Sequence, residues 1–131
     1  MAQLGGSSSY FPEPEIVLGT REPLKDRGRV LSRYYDGIVI RTFAHASVEE
    51  LAQASTIPVI NGLTDMFHPC QILAALQTLQ EHFGTLQGRR IAYVGDGNNV
   101  AHSWLLGAAQ MGLTCTIACP RAYQPDVAVV R

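Results

Sequence analysis

The stretch "GLTDMFHPCQILAALQTLQEHFG", from Gly62 to Gly84, decides the fold that the sequence predicts. Its second half has apolar side chains at i, i+1, i+4 and i+7, which is typical of a helix with one buried face. We therefore predict a helix over Pro69–Phe83, because proline is favoured at the first helical position and Gly84 is placed to end the helix in a left-handed conformation. The first turn also brings two hydrogen-bonding side chains, His68 and Gln71, which packing by itself does not require.

Outward from this helix, short runs rich in β-branched residues alternate with longer segments of helical periodicity. This alternation is typical of an α/β fold with parallel sheets that are covered by helices on both faces. Ser47 and Glu50 match an S-x-x-E capping box and predict where the second helix starts, and Gly112 is placed to end the last helix. Strands are predicted at Ser9–Phe11, Gly37–Arg41, Pro58–Asn61, Arg90–Gly95 and Thr114–Ala118, and the other helices at Leu24–Tyr34, Val48–Ala54 and Val100–Met111.

The composition excludes several classes of protein. The 131 residues are 47% hydrophobic and 16% charged, with a formal net charge of −1. A nearly neutral chain lacks the basic surface of a nucleic-acid-binding or polybasic membrane-binding protein, and no apolar run approaches the roughly 20 residues of a membrane span. No secretory signal is visible. We therefore expect a cytoplasmic protein with no nucleic-acid or membrane partner.

The three cysteines, Cys70, Cys115 and Cys119, do not predict a disulfide framework. Cys115 and Cys119 fall in one predicted strand, about 13 Å apart, whereas a disulfide requires Cα atoms within about 7 Å. Reduced thiols are therefore expected. No cluster of histidine and cysteine has the spacing of zinc ligands, and we predict neither a metal nor a cofactor.

A polar, glycine-flanked stretch, "GTLQGRR" at residues 84–90, separates two predicted units. Residues 1–84 hold about three predicted strands, while residues 85–131 hold two, which is few for an independent domain. The opening "MAQLGG" resembles the last turn of a helix with Gly5 or Gly6 as its terminator, and the closing "QPDVAVVR" resembles the start of a new element. We expect the chain to be part of a longer protein.

Polar side chains fall at three places along the predicted carboxyl edge of the sheet, where open parallel sheets bind ligands. Arg41 ends one strand, His68 and Gln71 flank the start of the Pro69 helix, and Asn99 closes the segment "GDGNN". A helix N-terminus attracts anions, and a guanidinium binds them bidentately. A spacing of three residues places the imidazole and the carboxamide on one side of the first turn. The pattern indicates a site for a small anion that also carries an amide.

Each of these residues also has a purely structural alternative. His68 can cap the helix, Gln71 can be a surface residue, and Arg41 can pair with a nearby acid. The segment "VGDGNNVAHSW" partly matches a dinucleotide-binding fingerprint, but Val100 replaces the third glycine and no acidic residue ends the following strand. A tight structural turn is therefore favoured over binding of NAD.

Other polar residues are given lesser roles. Asn98, like Asn99, offers an amide suited to the polar end of an amino acid. His82 and His102 are expected on helix surfaces, and His45 has no partner that the sequence identifies. Cys70 is expected to be a packed thiol, because no general base stands at a recognisable spacing from it.

Together these segments resemble a known family. "FHPCQILAALQTLQE" at residues 67–81 resembles the His-Pro-Cys-Gln signature of the aspartate/ornithine transcarbamylases. "LSRYYDGIVIRTF", "IPVINGLTDMFHP" and "VGDGNNVAHS" are similar to the same family in order and spacing. The likeness covers essentially all 131 residues, and "GDGNN" resembles the amino-acid domain of the ornithine enzymes in particular.

The resemblance implies transfer of a carbamoyl group from carbamoyl phosphate to the δ-amine of L-ornithine, which gives citrulline and phosphate, with no metal. It implies that Arg41, His68 and Gln71 bind carbamoyl phosphate and that Asn99 binds ornithine. Arg41 and His68 would also stabilise the charge that develops during the reaction, and Gln71 would orient the carbamoyl group.

The resemblance also implies an organisation for the chain. Residues 1–84 correspond to part of the carbamoyl-phosphate-binding domain, which ends in an interdomain helix over residues 69–83. Residues 85–131 correspond to the beginning of the ornithine-binding domain. Family members are usually trimers with active sites between subunits, so a homo-oligomer is expected.

The sequence departs from the family in several ways. Its Ser-x-Arg-Thr-Arg phosphate loop, its Asp-x-x-x-Ser-Met-Gly segment and its His-Cys-Leu-Pro segment do not occur in these 131 residues, so we expect the chain to be inactive by itself. Two alternatives stay open: a non-catalytic transcarbamylase-like binding module, and a transcarbamylase for putrescine, lysine or an acylated ornithine. In addition, Gly28 falls inside a predicted helix, where glycine costs about 1 kcal/mol, so we expect that helix to be weakened.

Overall fold

The computed structural model of the chain describes residues 1–12 and 22–130. In the described residues, helices and strands alternate as the sequence predicts. The elements are α1 (Leu24–Leu31), β1 (Ile38–Arg41), α2 (His45–Ala54), β2 (Val59–Leu63), α3 (Pro69–Phe83), β3 (Arg90–Val94), α4 (Asn99–Gln110), β4 (Thr114–Ala118) and α5 (Val127–Val130), with short 3-10 helices at Ala2–Leu4 and Arg121–Tyr123.

The strands form two separate parallel pairs, which confirms the predicted α/β class. β1 pairs with β2 from Ile38 opposite Val59, and β3 pairs with β4 from Arg90 opposite Thr114. The first pair contains a register shift just before Arg41. In each pair a helix connects the two strands, as parallel strands require.

Each parallel pair has its own hydrophobic core in the part of the chain that the structure describes. The smaller core lies between α2 and the first pair of strands and is formed by Ile40, Val48 and Leu51. The larger core includes residues of both α3 and α4, with two leucines from the loops that flank the second pair of strands. Its buried members are Ile72, Leu76, Leu86, Ala108 and Leu113. The helix α3 thus follows a strand of the first pair but buries its apolar face with the second.

The ends of α3 agree with the prediction, and other boundaries do not. α2 begins at His45, and its N-cap, Ala44, offers no side-chain hydrogen bond. Ser47 is therefore the third residue of the helix, and the predicted capping box is wrong. Ser9–Phe11 lies in no strand, because the described residues place no strand beside it. α1 ends at Leu31, three residues earlier than predicted, and the chain continues in turns.

Gly5, Gly84 and Gly112 follow helices and have positive φ values of 77°, 77° and 68°. Gly5 takes the left-handed conformation that the sequence predicts, whereas Gly84 has ψ −48° and lies outside the left-handed helical region, so that prediction is wrong for Gly84. A residue with a Cβ is strained at such angles, which is why glycine is favoured after a helix. None of the helices among residues 1–12 and 22–130 is long and apolar enough to cross a membrane.

Gly28 does not merely weaken α1, as its helix propensity suggests. It is buried, and a Cβ at this position would lie 3.1 Å from the carbonyl oxygen of Leu51 and 3.1 Å from the Cβ of Ala54. The absence of a side chain therefore lets α1 pack closely on α2. The expected propensity cost of about 1 kcal/mol is accompanied by a packing contact that a larger residue would disturb.

Gly97, in the turn between β3 and α4, is packed even more closely than Gly28. Its N–H donates to the carbonyl oxygen of Tyr123, at 2.7 Å. A Cβ on Gly97 would lie 2.6 Å from Pro125 Cα and closer still to the carbonyl carbon of Gln124. These are backbone atoms, which cannot rotate away as a side chain does. The second glycine of the G-x-G is thus explained by close packing against residues 123–125.

We expect Gly97→Ala to lower the free energy of unfolding by about 3 kcal/mol or more, at the upper end of the cost of overpacking. Gly37→Ala is the matched control, because the nearest atom to a Cβ there is the carbonyl oxygen of Pro58 at an ordinary 3.7 Å. Urea denaturation of the two variants measures the difference. Equal denaturation midpoints would contradict the close approach described above.

Candidate functional site

The candidate site lies at the carboxyl edge of the first pair of strands. Arg41 is the last residue of β1 and lies opposite Leu63, the last residue of β2. From β2 the chain passes through residues 64–67 and enters α3 at Pro69. Arg41 and the start of α3 therefore follow the carboxyl ends of two adjacent strands, as the sequence predicts.

Arg41 is exposed at this edge, and among the described residues no carboxylate pairs with its guanidinium. Within residues 1–12 and 22–130, Arg41 therefore does not form the ion pair with a nearby acid that was its structural alternative. An unpaired guanidinium retains all its donors for an anion.

His68 is the N-cap of α3, but its side chain does not cap the helix. Its backbone N–H donates to the hydroxyl of Ser103, at 2.7 Å. The ring nitrogen Nδ1 is buried and has no hydrogen-bond partner among the described residues. A buried polar atom without a partner is costly, so this nitrogen remains available for a further group at the site.

Gln71 and Cys70 are exposed in the first turn of α3. Gln71 follows His68 by three residues on the helix and makes no hydrogen bond that restrains its carboxamide among the described residues. The thiol of Cys70 contacts the carbonyl oxygen of Asn61 at 3.4 Å. The prediction of a packed thiol at Cys70 is therefore wrong, because the second position of this helix faces outward.

The turn before α3 is organised by Thr64, which is fully buried. Its hydroxyl accepts from the backbone N–H of Phe67 at 3.0 Å and lies 3.1 Å from Nδ1 of His45. Its own N–H donates to the carbonyl oxygen of Phe67 at 2.8 Å. Together these bonds fix the direction in which the chain approaches His68. No partner for His45 is predicted from the sequence, whereas in the structure its ring lies beside the hydroxyl of Thr64.

Three residues of α4 reach this turn from the second unit. Asn99 donates from Nδ2 to the carbonyl oxygen of Thr64 at 2.6 Å, and the ring of His102 contacts the carbonyl oxygen of Met66 at 2.9 Å. The third is Ser103, which accepts from the backbone of His68. Asn99 and the loop that carries His68 are therefore in direct contact, which brings together two of the places that the sequence singles out.

His102 is buried, so its predicted place on the helix surface is wrong. Its Nε2 accepts from the backbone N–H of Asp126 at 2.9 Å, which requires the proton of the neutral ring to be on Nδ1. Nδ1 then donates to Met66. A signal for this role exists in the sequence, since Asn99, His102 and Ser103 have the i, i+3, i+4 spacing of one polar helix face.

The two asparagines of "GDGNN" have different roles. Asn98 is the N-cap of α4, and its Oδ1 accepts from the backbone N–H groups of Val100 at 2.9 Å and Ala101 at 3.3 Å. This is the preferred chemistry for the start of a helix. Asn98 is thus occupied by capping, while Asn99 points to the turn before α3.

A groove of about 410 Å³ runs between α3 and α4 beside the site. Leu73 and Leu106 are among its apolar walls, and His45 and Asn61 lie at its polar margin. Because no arginine, lysine, aspartate or glutamate lines it, the groove differs in chemistry from the edge where Arg41 lies. In residues 1–12 and 22–130, no group of three or more His, Cys, Asp or Glu side chains has a geometry suited to a metal ion.

Cys115 lies in β4 and Cys119 follows that strand directly, so both come late in the chain, well after the start of α3. Cys70, Cys115 and Cys119 are all free thiols. Burial raises the pKa of the Cys115 thiol, because the thiolate loses hydration inside the protein. Cys115 packs against the larger core, which is the role of a structural residue.

Comparison with protein families matches both halves of the chain. Residues 1–81 match the model described as "Aspartate/ornithine carbamoyltransferase, carbamoyl-P binding domain", and residues 87–131 match "Aspartate/ornithine carbamoyltransferase, Asp/Orn binding domain". Over all 131 residues the chain is 53% identical to proteins named ornithine carbamoyltransferase from Bacillus cereus and Anoxybacillus flavithermus. It spans about 42% of the length of these relatives.

Solved structures give the same result. The ornithine carbamoyltransferase from Pyrococcus furiosus has a TM-score of 0.96 and 46% sequence identity, over 99% of this chain and 42% of that one. The enzyme of the same name from Thermus thermophilus has a TM-score of 0.91 and 44% identity, over 99% of this chain and 45% of that one. The backbone described above is therefore that of a known fold over nearly its whole length.

We expect Cys115 to react with iodoacetamide more slowly than the exposed Cys70 at pH 8, in a Cys119→Ser background that separates the two signals. Because the raised pKa reduces the thiolate fraction, the rate at Cys115 should still be rising with pH above the ordinary cysteine pKa of about 8.5, where an unperturbed thiol levels off. Mass spectrometry of labelled peptides over a pH series measures both rates. A rate at Cys115 that levels off at or below the ordinary value would refute the effect of burial.

Proposed function

This chain belongs to the aspartate/ornithine carbamoyltransferase family, and from that membership we propose that the protein transfers a carbamoyl group from carbamoyl phosphate to the δ-amine of L-ornithine, giving citrulline and phosphate. The proposal concerns a protein of the relatives' length that contains these residues, because the chain spans about 42% of the relatives. The strongest structural support is the start of α3, which follows β2, the strand that pairs with the strand of Arg41. There the ring nitrogen Nδ1 of His68 is buried and has no hydrogen-bond partner in residues 1–12 and 22–130.

Carbamoyl phosphate fits this edge by its charge. The N-terminus of α3 carries a partial positive charge and N–H groups without helical acceptors, both of which favour a phosphate or a carbonyl oxygen. The guanidinium of Arg41 adds a full positive charge with donors in a fixed fork. We assign Arg41, His68 and Gln71 to carbamoyl phosphate, with Arg41 and His68 as the catalytic residues.

The reaction needs stabilisation of charge rather than a nucleophile of the protein. The δ-nitrogen of ornithine forms a bond to the carbamoyl carbon and loses a proton, which the leaving phosphate takes up. The bond from that carbon to the phosphate oxygen breaks, and phosphate leaves with the electron pair. Donors from Arg41 and His68 stabilise the negative charge on the carbonyl oxygen and on the leaving phosphate. One such donor typically contributes about 3–4 kcal/mol to the transition state.

Gln71 and Asn99 have orienting roles in this proposal. The exposed carboxamide of Gln71, three residues after His68, pairs with the carbamoyl amide and presents its carbon to the amine. Asn99 binds the polar end of ornithine. Its bond to the carbonyl oxygen of Thr64 uses only one of the two N–H groups of its amide, so the second N–H and the Oδ1 remain for the amino acid.

We further propose the division of the chain that the sequence indicates. Residues 1–84 form part of the carbamoyl-phosphate-binding domain, and residues 85–131 begin the ornithine-binding domain. The helix α3, at residues 69–83, connects them. The boundaries of the two family models, at residues 81 and 87, support a division in this place. We also propose a cytoplasmic homotrimer that acts in arginine metabolism, as the family resemblance implies.

Ornithine is favoured over another amine by the names of the relatives, since the proteins at 53% identity are called ornithine carbamoyltransferases. Competition between ornithine, putrescine and lysine for the full-length protein tests this choice. Carbamoylation of putrescine or lysine in preference to ornithine would overturn it. A protein that binds carbamoyl phosphate and carbamoylates neither these three amines nor an acylated ornithine would instead be a binding module.

We expect Arg41→Gln in the full-length protein to lower kcat/KM for carbamoyl phosphate by about 100- to 1000-fold, because one charge-stabilising donor set is lost. Arg33→Gln is the matched control, because Arg33 is an exposed arginine in the turn after α1. The Arg33→Gln variant should have the activity of the unsubstituted protein. Citrulline formation measures both. The 131-residue chain by itself should show no turnover.

If Arg41→Gln forms citrulline at the rate of the unsubstituted protein, the assignment of Arg41 to the site is wrong. Robust turnover by the 131-residue chain would show that the remaining length of the relatives is dispensable. Absence of citrulline with the unsubstituted full-length protein would overturn the proposed function itself.

A further inference from the structure

We propose, on the basis of the function proposed above, that Ser103 of α4 is a positioning residue for His68. The Ser103 hydroxyl lies 2.7 Å from the backbone nitrogen of His68 and 2.8 Å from the carbonyl oxygen of Asn99. It thus joins a residue assigned to carbamoyl phosphate to one assigned to ornithine. The two ends of its bond to His68 are 35 residues apart in the chain.

The direction of these bonds follows from the chemistry of a hydroxyl, which has one proton to donate and two lone pairs to accept. The His68 N–H can only donate, and the Asn99 carbonyl can only accept. The proton of Ser103 therefore points to Asn99, one helical turn earlier, and a lone pair points to His68. Ser103 is buried, so water does not compete for either bond.

This bond matters because the imidazole of His68 has no other polar restraint in the described residues. Its Nδ1 lacks a partner, and its side chain makes no capping bond. The backbone angles, φ −131° and ψ 66°, are not helical, so the ladder of α3 does not fix them. The bond from Ser103 therefore restrains the backbone from which the ring of His68 projects.

Neighbouring residues of α4 support the same loop without contacting His68. His102 donates to Met66, and Asn99 donates to Thr64, at 2.9 and 2.6 Å. These bonds fix the preceding residues of the loop. Ser103 is the member of the set that bonds to His68 itself, so its removal tests positioning most directly.

The test uses the full-length protein with three substitutions of Ser103. Ser103→Ala removes the hydroxyl and should lower kcat by about 10- to 100-fold, because small displacements of a reacting group cost this much. Ser103→Cys is nearly isosteric but accepts hydrogen bonds weakly, and it should behave like Ser103→Ala. Ser103→Thr retains the hydroxyl and should restore most of kcat.

Thr78→Ala is the matched control. The hydroxyl of Thr78 donates to the carbonyl oxygen of Ala74, four residues earlier in α3, at 2.9 Å. This repeats the helix bond of Ser103 at an exposed position. The control variant should keep the kcat of the unsubstituted protein. Thermal unfolding and the concentration of active sites are measured for every variant, so that loss of folded protein is separated from loss of rate.

A second readout follows the His68 amide by hydrogen exchange. In the unsubstituted protein it should be protected, and in Ser103→Ala it should exchange faster, while Thr78→Ala leaves it unchanged. If Ser103→Cys is folded and has the kcat of the unsubstituted protein, Ser103 only fills space and the inference fails. An unprotected His68 amide in the unsubstituted protein also overturns it.

The two failures are distinguishable. If the unsubstituted full-length protein forms no citrulline, the proposed function fails, and the exchange of the His68 amide still decides whether Ser103 holds that residue. If citrulline forms at the same rate in Ser103→Ala, Ser103→Cys and Thr78→Ala, the proposed function stands and the positioning role is wrong.

Discussion

The turn between β2 and α3 is buried at Thr64, and its polar groups need hydrogen-bond partners inside the protein. Thr64 supplies them. Its hydroxyl, N–H and carbonyl groups bond to Phe67, His45 and Asn99. Because a buried group without a partner costs about 1–3 kcal/mol, the turn has essentially one stable arrangement. The placement of His68 and of the α3 N-terminus follows from this constraint.

The parts of the fold that the sequence predicts best are those with strong local signals. α3 runs from Pro69 to Phe83 as expected, since proline at its first position and glycine after its last are local backbone preferences. The start of α2 was missed because Ser47 and Glu50 match a capping pattern whereas the helix begins at His45, whose ring bonds to Thr64 nineteen residues later. A hydrogen bond between residues so far apart in the sequence cannot be detected from a local sequence pattern.

The candidate site likewise contains residues that local sequence signals predict and residues that they do not. Strand ends and helix starts predict Arg41, His68, Gln71 and Asn99 as site residues, because open parallel sheets bind ligands beyond the carboxyl ends of their strands. His102 and Ser103 were missed as polar partners of the loop, because their contacts depend on how two units of the chain pack together. Their spacing with Asn99 shows a polar helix face, but only the packing shows that this face is buried.

The outward-facing Cys70 stands two residues after His68, with a thiol that is exposed to solvent. The other two cysteines are partly buried on or after β4. A fluorophore or nitroxide attached at position 70 would therefore lie beside the start of α3, where it could report the binding of carbamoyl phosphate that we propose there. The native sequence thus already carries an attachment point for an optical or magnetic reporter of occupancy, with no engineered cysteine.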